Sequence, residues 1–133
     1  MSLVISLPSQ WIFDIGNVQF LNLGPFVDGD TLNAATPTYV NDLSITASLY
    51  LNRSLTDPAS QPGTLVSTFG TAGNLSVPYI ASSNGLYRGV VGSSLAATPG
   101  LPYVLVIDAP GSPSGYQGHW EFPAIVNVRR TGD

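Results

Sequence analysis

The segment Thr98-Pro99-Gly100-Leu101-Pro102-Tyr103-Val104-Leu105-Val106-Ile107-Asp108 joins a Pro/Gly turn to an alternating apolar strand whose first residue is a tyrosine. A tyrosine in that place can pack its ring on a sheet-on-sheet core and reach back with its hydroxyl to a backbone group a few residues upstream. That contact clamps the turn to the strand. Pro99, Gly100 and Tyr103 are therefore expected to form a structural corner, and the chain is expected to fold as a β-sandwich.

The rest of the chain follows the same period. Leu43, Ile45, Ala47, Leu49 and Leu51 point one way while Ser44, Thr46, Ser48 and Tyr50 point the other, the pattern of a half-buried antiparallel strand. Similar reasoning marks Val18 to Leu23, Thr64 to Phe69, Asn74 to Ile80, Leu86 to Val91, Tyr103 to Asp108 and His119 to Arg129, giving seven strands. Ser83-Asn84-Gly85 predicts a tight turn that pairs Asn74–Ile80 with Leu86–Val91 as a hairpin. Pro78 and Pro123 each remove a ladder donor and belong at a sheet edge or a bulge, with a bulge expected at Pro123. With 14 glycines and 11 prolines dispersed through 133 residues, no window sustains a helical apolar spacing. The fold class expected is all-β, an immunoglobulin-like antiparallel β-sandwich of about seven strands with an N-terminal extension.

One compact domain is expected overall, its sandwich spanning residues 41–133 behind an arm or added strand at 1–40. Leu7-Pro8-Ser9-Gln10-Trp11-Ile12-Phe13 is rich in large apolar groups but poorly periodic, and Gly24 to Asp30 is a loop with an apolar pair. This region either covers its own sandwich or packs on a neighbouring subunit.

Charge limits the partners. Charged residues make up 9% of the chain, lysine is absent, and the net charge is -4, against roughly 25% charged residues in ordinary soluble proteins. Four arginines, two of them the Arg129-Arg130 pair, form no basic stripe, so no nucleic-acid partner is expected. No run approaches the roughly 20 apolar residues that span a bilayer, so no membrane partner is expected either. Met1 to Phe13 lacks the basic n-region and cleavage site of a signal peptide. A weakly charged surface suits a protein whose faces are covered by other proteins.

Catalytic inventories fail. With one histidine and neither cysteine nor lysine, thiol and Ser-Lys nucleophiles are excluded, and a Ser-His-Asp triad would need His119, which alternation explains as an outward residue at the start of a strand. Asp14, Asp28, Asp30, Asp42, Asp108 and Glu121 could supply a carboxylate pair only if the fold brings two together. Asp28-Gly29-Asp30-Thr31 resembles part of a calcium loop but lacks its later ligands, which favours an Asx-type turn. No catalytic residue, metal site or cofactor is expected. Of the tyrosines and tryptophans, Tyr116 in its Gly-rich loop is the one expected to be free to stack on a sugar.

The succession Leu43–Leu51, Val77-Pro78-Tyr79, Ser82-Ser83-Asn84-Gly85-Leu86-Tyr87-Arg88-Gly89-Val90, Tyr103–Asp108 and Gly118-His119-Trp120-Glu121-Phe122-Pro123-Ala124-Ile125-Val126-Asn127-Val128-Arg129 resembles small immunoglobulin-like proteins of tailed phages and prophages, of the baseplate or neck accessory type. About two thirds of the chain is covered. The resemblance implies a non-enzymatic structural or adaptor subunit, in the virion or in the bacterial cytoplasm during assembly, that contacts other virion proteins; whether it also forms a homo-oligomer is left open by the sequence. Trp11, Ile12, Phe13, Phe20 and Phe26 are the candidate interprotein contacts. The alternative reading is a carbohydrate-binding β-sandwich module.

Overall fold

The computed structural model describes residues 3–5, 7–113 and 115–128. Ten strands run in chain order: β1 Leu3–Ile5, β2 Trp11–Ile15, β3 Gln19–Leu23, β4 Phe26–Asp28, β5 Thr46–Leu51, β6 Thr64–Leu65, β7 Leu75–Ser76, β8 Tyr87–Val91, β9 Tyr103–Ala109 and β10 Gly118–Val128. A single 3₁₀ turn, Gly29–Thr31, is the helical element among the described residues.

The larger sheet has the order β2-β10-β9-β5-β6, with β7 also on β5; β3 pairs β8 opposite it, and β1 pairs β4. The two layers share one core, in which Phe13, Leu49, Leu105, Ile107 and Val126 of the larger sheet meet Leu21, Leu23, Tyr87 and Val91 of the smaller. A β5-β9-β10 triplet facing a β3-β8 pair is the C-F-G over B-E arrangement of the immunoglobulin sandwich. The fold is an all-β, immunoglobulin-like sandwich. Tyr103 stands at the start of β9, and its hydroxyl accepts a hydrogen bond from Thr98 N–H at 2.8 Å. Gly100 in the intervening turn has a φ of +85°.

Several details depart from the alternation pattern. The N-terminal region supplies β1 to β4, and β2 adds to the edge of β10 in parallel, so the larger sheet is mixed. Phe13, Leu21, Leu23 and Phe26 belong to the same hydrophobic core as the strands that follow them. The expected bulge at Pro123 is absent: Pro123 stands opposite Val104 in an uninterrupted register from Gly118 to Ala124. β2 lies beside β10 only from Ala124 onward, so at Pro123 the strand has a neighbour on one side and no ladder donor is missed there. Thr64–Phe69 is cut to two ladder residues because the chain turns inward to bury Phe69 edge-on against Phe13, ring centroids 5.3 Å apart.

The Asn74–Ile80/Leu86–Val91 hairpin also differs. Its turn end exists, with a bridge at Tyr79 and Tyr87, and the Tyr79 hydroxyl bonds the Ser83 carbonyl. Beyond Pro78 the first arm leaves β8 for β5, where Thr46 faces Ser76; β8 takes β3 as its ladder partner instead. Gly85 is required at the turn, since its φ is +71° and a Cβ there would stand 2.6 Å from the Phe26 carbonyl oxygen.

Candidate functional site

Two outward surfaces carry chemistry. On the larger sheet, β10 places His119 and Glu121 two residues apart on its outer face, and the register sets Asp108 of β9 opposite His119 and Thr46 of β5 opposite Asp108. Arg53, just beyond β5, lies 5.0 Å over the Tyr50 ring and forks onto Glu121, with Nε to Oε1 at 2.6 Å and Nη2 to Oε2 at 3.1 Å. His119 bonds Glu121 Oε2 through Nε2 at 2.8 Å and faces Asp108 Oδ1 through Nδ1 at 3.4 Å. Ser48 donates to Asn74 Oδ1 at 3.3 Å. Thr46, Ser48, Arg53, Asn74, Asp108 and His119 border an open depression of about 520 Å³.

The electrostatics follow from this order. The hydrogen bonds from Arg53, then from His119, hold the Glu121 carboxyl below its ordinary value against the opposing effect of burial. The Glu121 carboxylate is the largest influence raising the His119 imidazole, followed among the raising contacts by Asp108. Both ring nitrogens are directed at carboxylates, an arrangement that favours the protonated ring, in which each nitrogen donates. A general base for a serine must instead accept the hydroxyl proton through one free nitrogen. The arrangement is an ion-paired strap that fastens the start of the 52–63 loop to β10.

The second surface is the outer face of β3 and β8. Phe20 is 58% exposed and Val90 50%, directly opposite one another in the ladder. Arg88 lies 4.9 Å over the Phe20 ring, and its Nε donates to Asn22 Oδ1 at 2.8 Å. Large exposed apolar side chains next to a stacked arginine are the composition of protein contact surfaces.

The five aromatic and aliphatic candidates separate. Ile12 and Phe20 are exposed. Phe13 and Phe26 are withdrawn as contacts, because they are buried in the chain's own core, Phe13 against Phe69 and Phe26 against Tyr87. Trp11 points inward and packs against the core, and its enclosed Nε1 has no hydrogen-bond partner among the described residues. Period-two alternation in Trp11-Ile12-Phe13 places Ile12 outward; the strand was too short to be recognised as one without its partner β10. Val90 and Arg88 were missed, although their alternation with the buried Tyr87 and Val91 was visible.

Tyr116 is buried, and its hydroxyl donates to Asp28 Oδ2 at 2.8 Å, so it offers no stacking platform. No described tryptophan or tyrosine belongs to the exposed class. Asp28 accepts Asp30 N–H at 3.0 Å through its other oxygen, an Asx turn that caps the 3₁₀ segment. No cluster of three metal-ligating side chains occurs among the described residues. Arg129 and Arg130 lie outside the described residues.

No family model matches this chain, and no curated protein matches it. Among solved structures, one of murine CRIg aligns over 98% of this chain and 100% of that one, at 10% identity and a TM-score of 0.42. The fold assignment rests on the strand order and pairing above.

Proposed function

We propose that this protein is a non-enzymatic structural or adaptor subunit of a phage or prophage particle, working through contacts with other virion proteins. The observation that carries the reading is the outer face of β3 and β8, where Phe20, Arg88 and Val90 present an aromatic, a cation and an aliphatic side chain together on a weakly charged protein. A partner covering that face would remove apolar area from water without having to desolvate a dense charge layer. The resemblance of the hairpin and corner motifs to tailed-phage accessory domains supplies the setting. His119, occupied at both nitrogens by carboxylates, supports a role without catalysis.

The carbohydrate-binding alternative has lost the residue that favoured it, since Tyr116 is inside. The reading is tested by sequencing the genes that flank this one in its source genome. Capsid, connector or tail genes on both sides are expected; glycosidase or surface-protein genes there would overturn the particle reading.

A further inference from the structure

The outer edge of β8 is left unfinished by one proline. Away from β3, Arg88 N–H donates to the Pro78 carbonyl at 3.0 Å and Ile80 N–H donates to the Leu86 carbonyl at 2.8 Å, on either side of the Tyr79–Tyr87 bridge. The rung that should come next is an N–H from residue 78 to the Arg88 carbonyl, and proline has none to give. The chain then abandons β8, and Val77 N–H donates to Ile45 at 3.0 Å. Strand alternation turns the N–H and C=O of Val90 to the same side as those of Arg88. Past Pro78 the edge therefore presents an acceptor, a donor and an acceptor in succession. They border a groove of about 520 Å³; Gly92 puts no side chain into it, while Gly89 faces inward against Leu75, Ser76 and Val77.

Charge defines what fits. The carboxylates in described ion pairs serve Arg53 and His119. Arg88 spends its Nε on Asn22 and its flat face on Phe20, which fixes the guanidinium beside the open edge with its terminal nitrogens uncompensated among the described residues. Val90, half exposed, stands next along the same face.

We propose that this edge receives an extended segment of a partner protein, which adds to β8 as a strand at Val90, lays an apolar side chain against Val90 and brings a carboxylate to Arg88. The inference rests on the adaptor reading and names the kind of partner that the adaptor holds.

Panning a displayed library of random decapeptides against the intact protein tests it. The expected enrichment is for alternating apolar sequences with a central Asp or Glu, binding Arg88→Glu about tenfold more weakly or worse, as loss of one charge-assisted contact predicts, and losing binding to Val90→Pro. Arg88→Glu alters an exposed side chain, so it reports even if Val90→Pro fails to fold. No enrichment, or enriched peptides indifferent to Arg88→Glu, overturns the proposal. Charge-dependent strand binding by a protein whose gene neighbours are not phage genes would leave this edge standing and remove the particle reading; phage neighbours with no such binding would do the reverse.

Discussion

The side-chain amide of Gln19 closes on the backbone of Asp14 at both ends, its Nε2 donating to the Asp14 carbonyl at 2.9 Å and its Oε1 accepting from the Asp14 N–H at 3.0 Å. One side chain thereby imitates a neighbouring strand at the free edge of β2, which has β10 on its other side. Unpaired edges invite pairing with other chains. Gln19→Ala should cost about 1 kcal/mol in urea unfolding and produce concentration-dependent association in sedimentation velocity. A variant as stable and as monodisperse as the parent would remove this role.

Two tyrosine hydroxyls clasp the backbone to different degrees. Tyr103 satisfies Thr98 N–H alone, in a partly buried turn. Tyr87, fully buried, donates to the Val40 carbonyl at 2.7 Å and accepts from Leu43 N–H at 3.1 Å. Tyr87→Phe orphans a buried donor and a buried acceptor together, so it should cost about 2–4 kcal/mol, against about 1 kcal/mol for Tyr103→Phe. Equal losses in denaturant unfolding would contradict the account of Tyr87.

The aromatic residues of the N-terminal region divide by side. Phe13→Ala empties a core site and should cost about 3–5 kcal/mol, while Phe20→Ser should leave stability within about 0.5 kcal/mol. Thermal unfolding of the two variants decides it, and a stable Phe13→Ala would return that residue to the candidate contacts.

The strap on the larger sheet makes stability fall both as pH rises above about 6.5 and as it drops below about 4.5. The His119 value is raised on folding, so the folded chain holds its proton more tightly; its contribution is complete below about 6.5 and is lost as pH rises through the raised value. Glu121 is lowered on folding, so its contribution is present above its ordinary value near 4.5 and is lost as pH falls through the depressed one. His119→Ala should flatten the alkaline limb of unfolding midpoint against pH and weaken part of the acid limb. Because His119 is half exposed, high salt should shrink the alkaline effect. An alkaline limb unchanged in His119→Ala would show that another group sets it.

Legibility in the sequence followed the kind of signal. Leu43 to Leu51 alternates because one face is buried, and the structure buries Leu43, Ile45, Ala47 and Leu49 accordingly, whereas Tyr103 to Ile107 is a continuous apolar run buried on both faces of a central strand. β1, β2 and β4 are three to five residues long, too short for period to speak; Trp11–Ile15 becomes a strand through its partner, Ala124–Val128 of β10. The fate of Asn74–Ile80 turned on competition between two partners, β5 and β8, which local alternation does not rank. The strap was out of reach for the same reason, since Arg53 and Glu121 are separated by 68 positions and meet through the β5-β9-β10 register. The Phe20 face lay closer to hand, because outward Arg88 and Val90 alternate with inward Tyr87 and Val91, but its pairing with β3 did not.

The central claim is that the protein is a component of a particle. Gradient-purified particles from the source strain, analysed by quantitative mass spectrometry, test it most directly. The account predicts the chain in intact particles at a fixed ratio to the major structural proteins, with Phe20→Ser reducing that ratio; a chain found entirely in the particle-free fraction would contradict it.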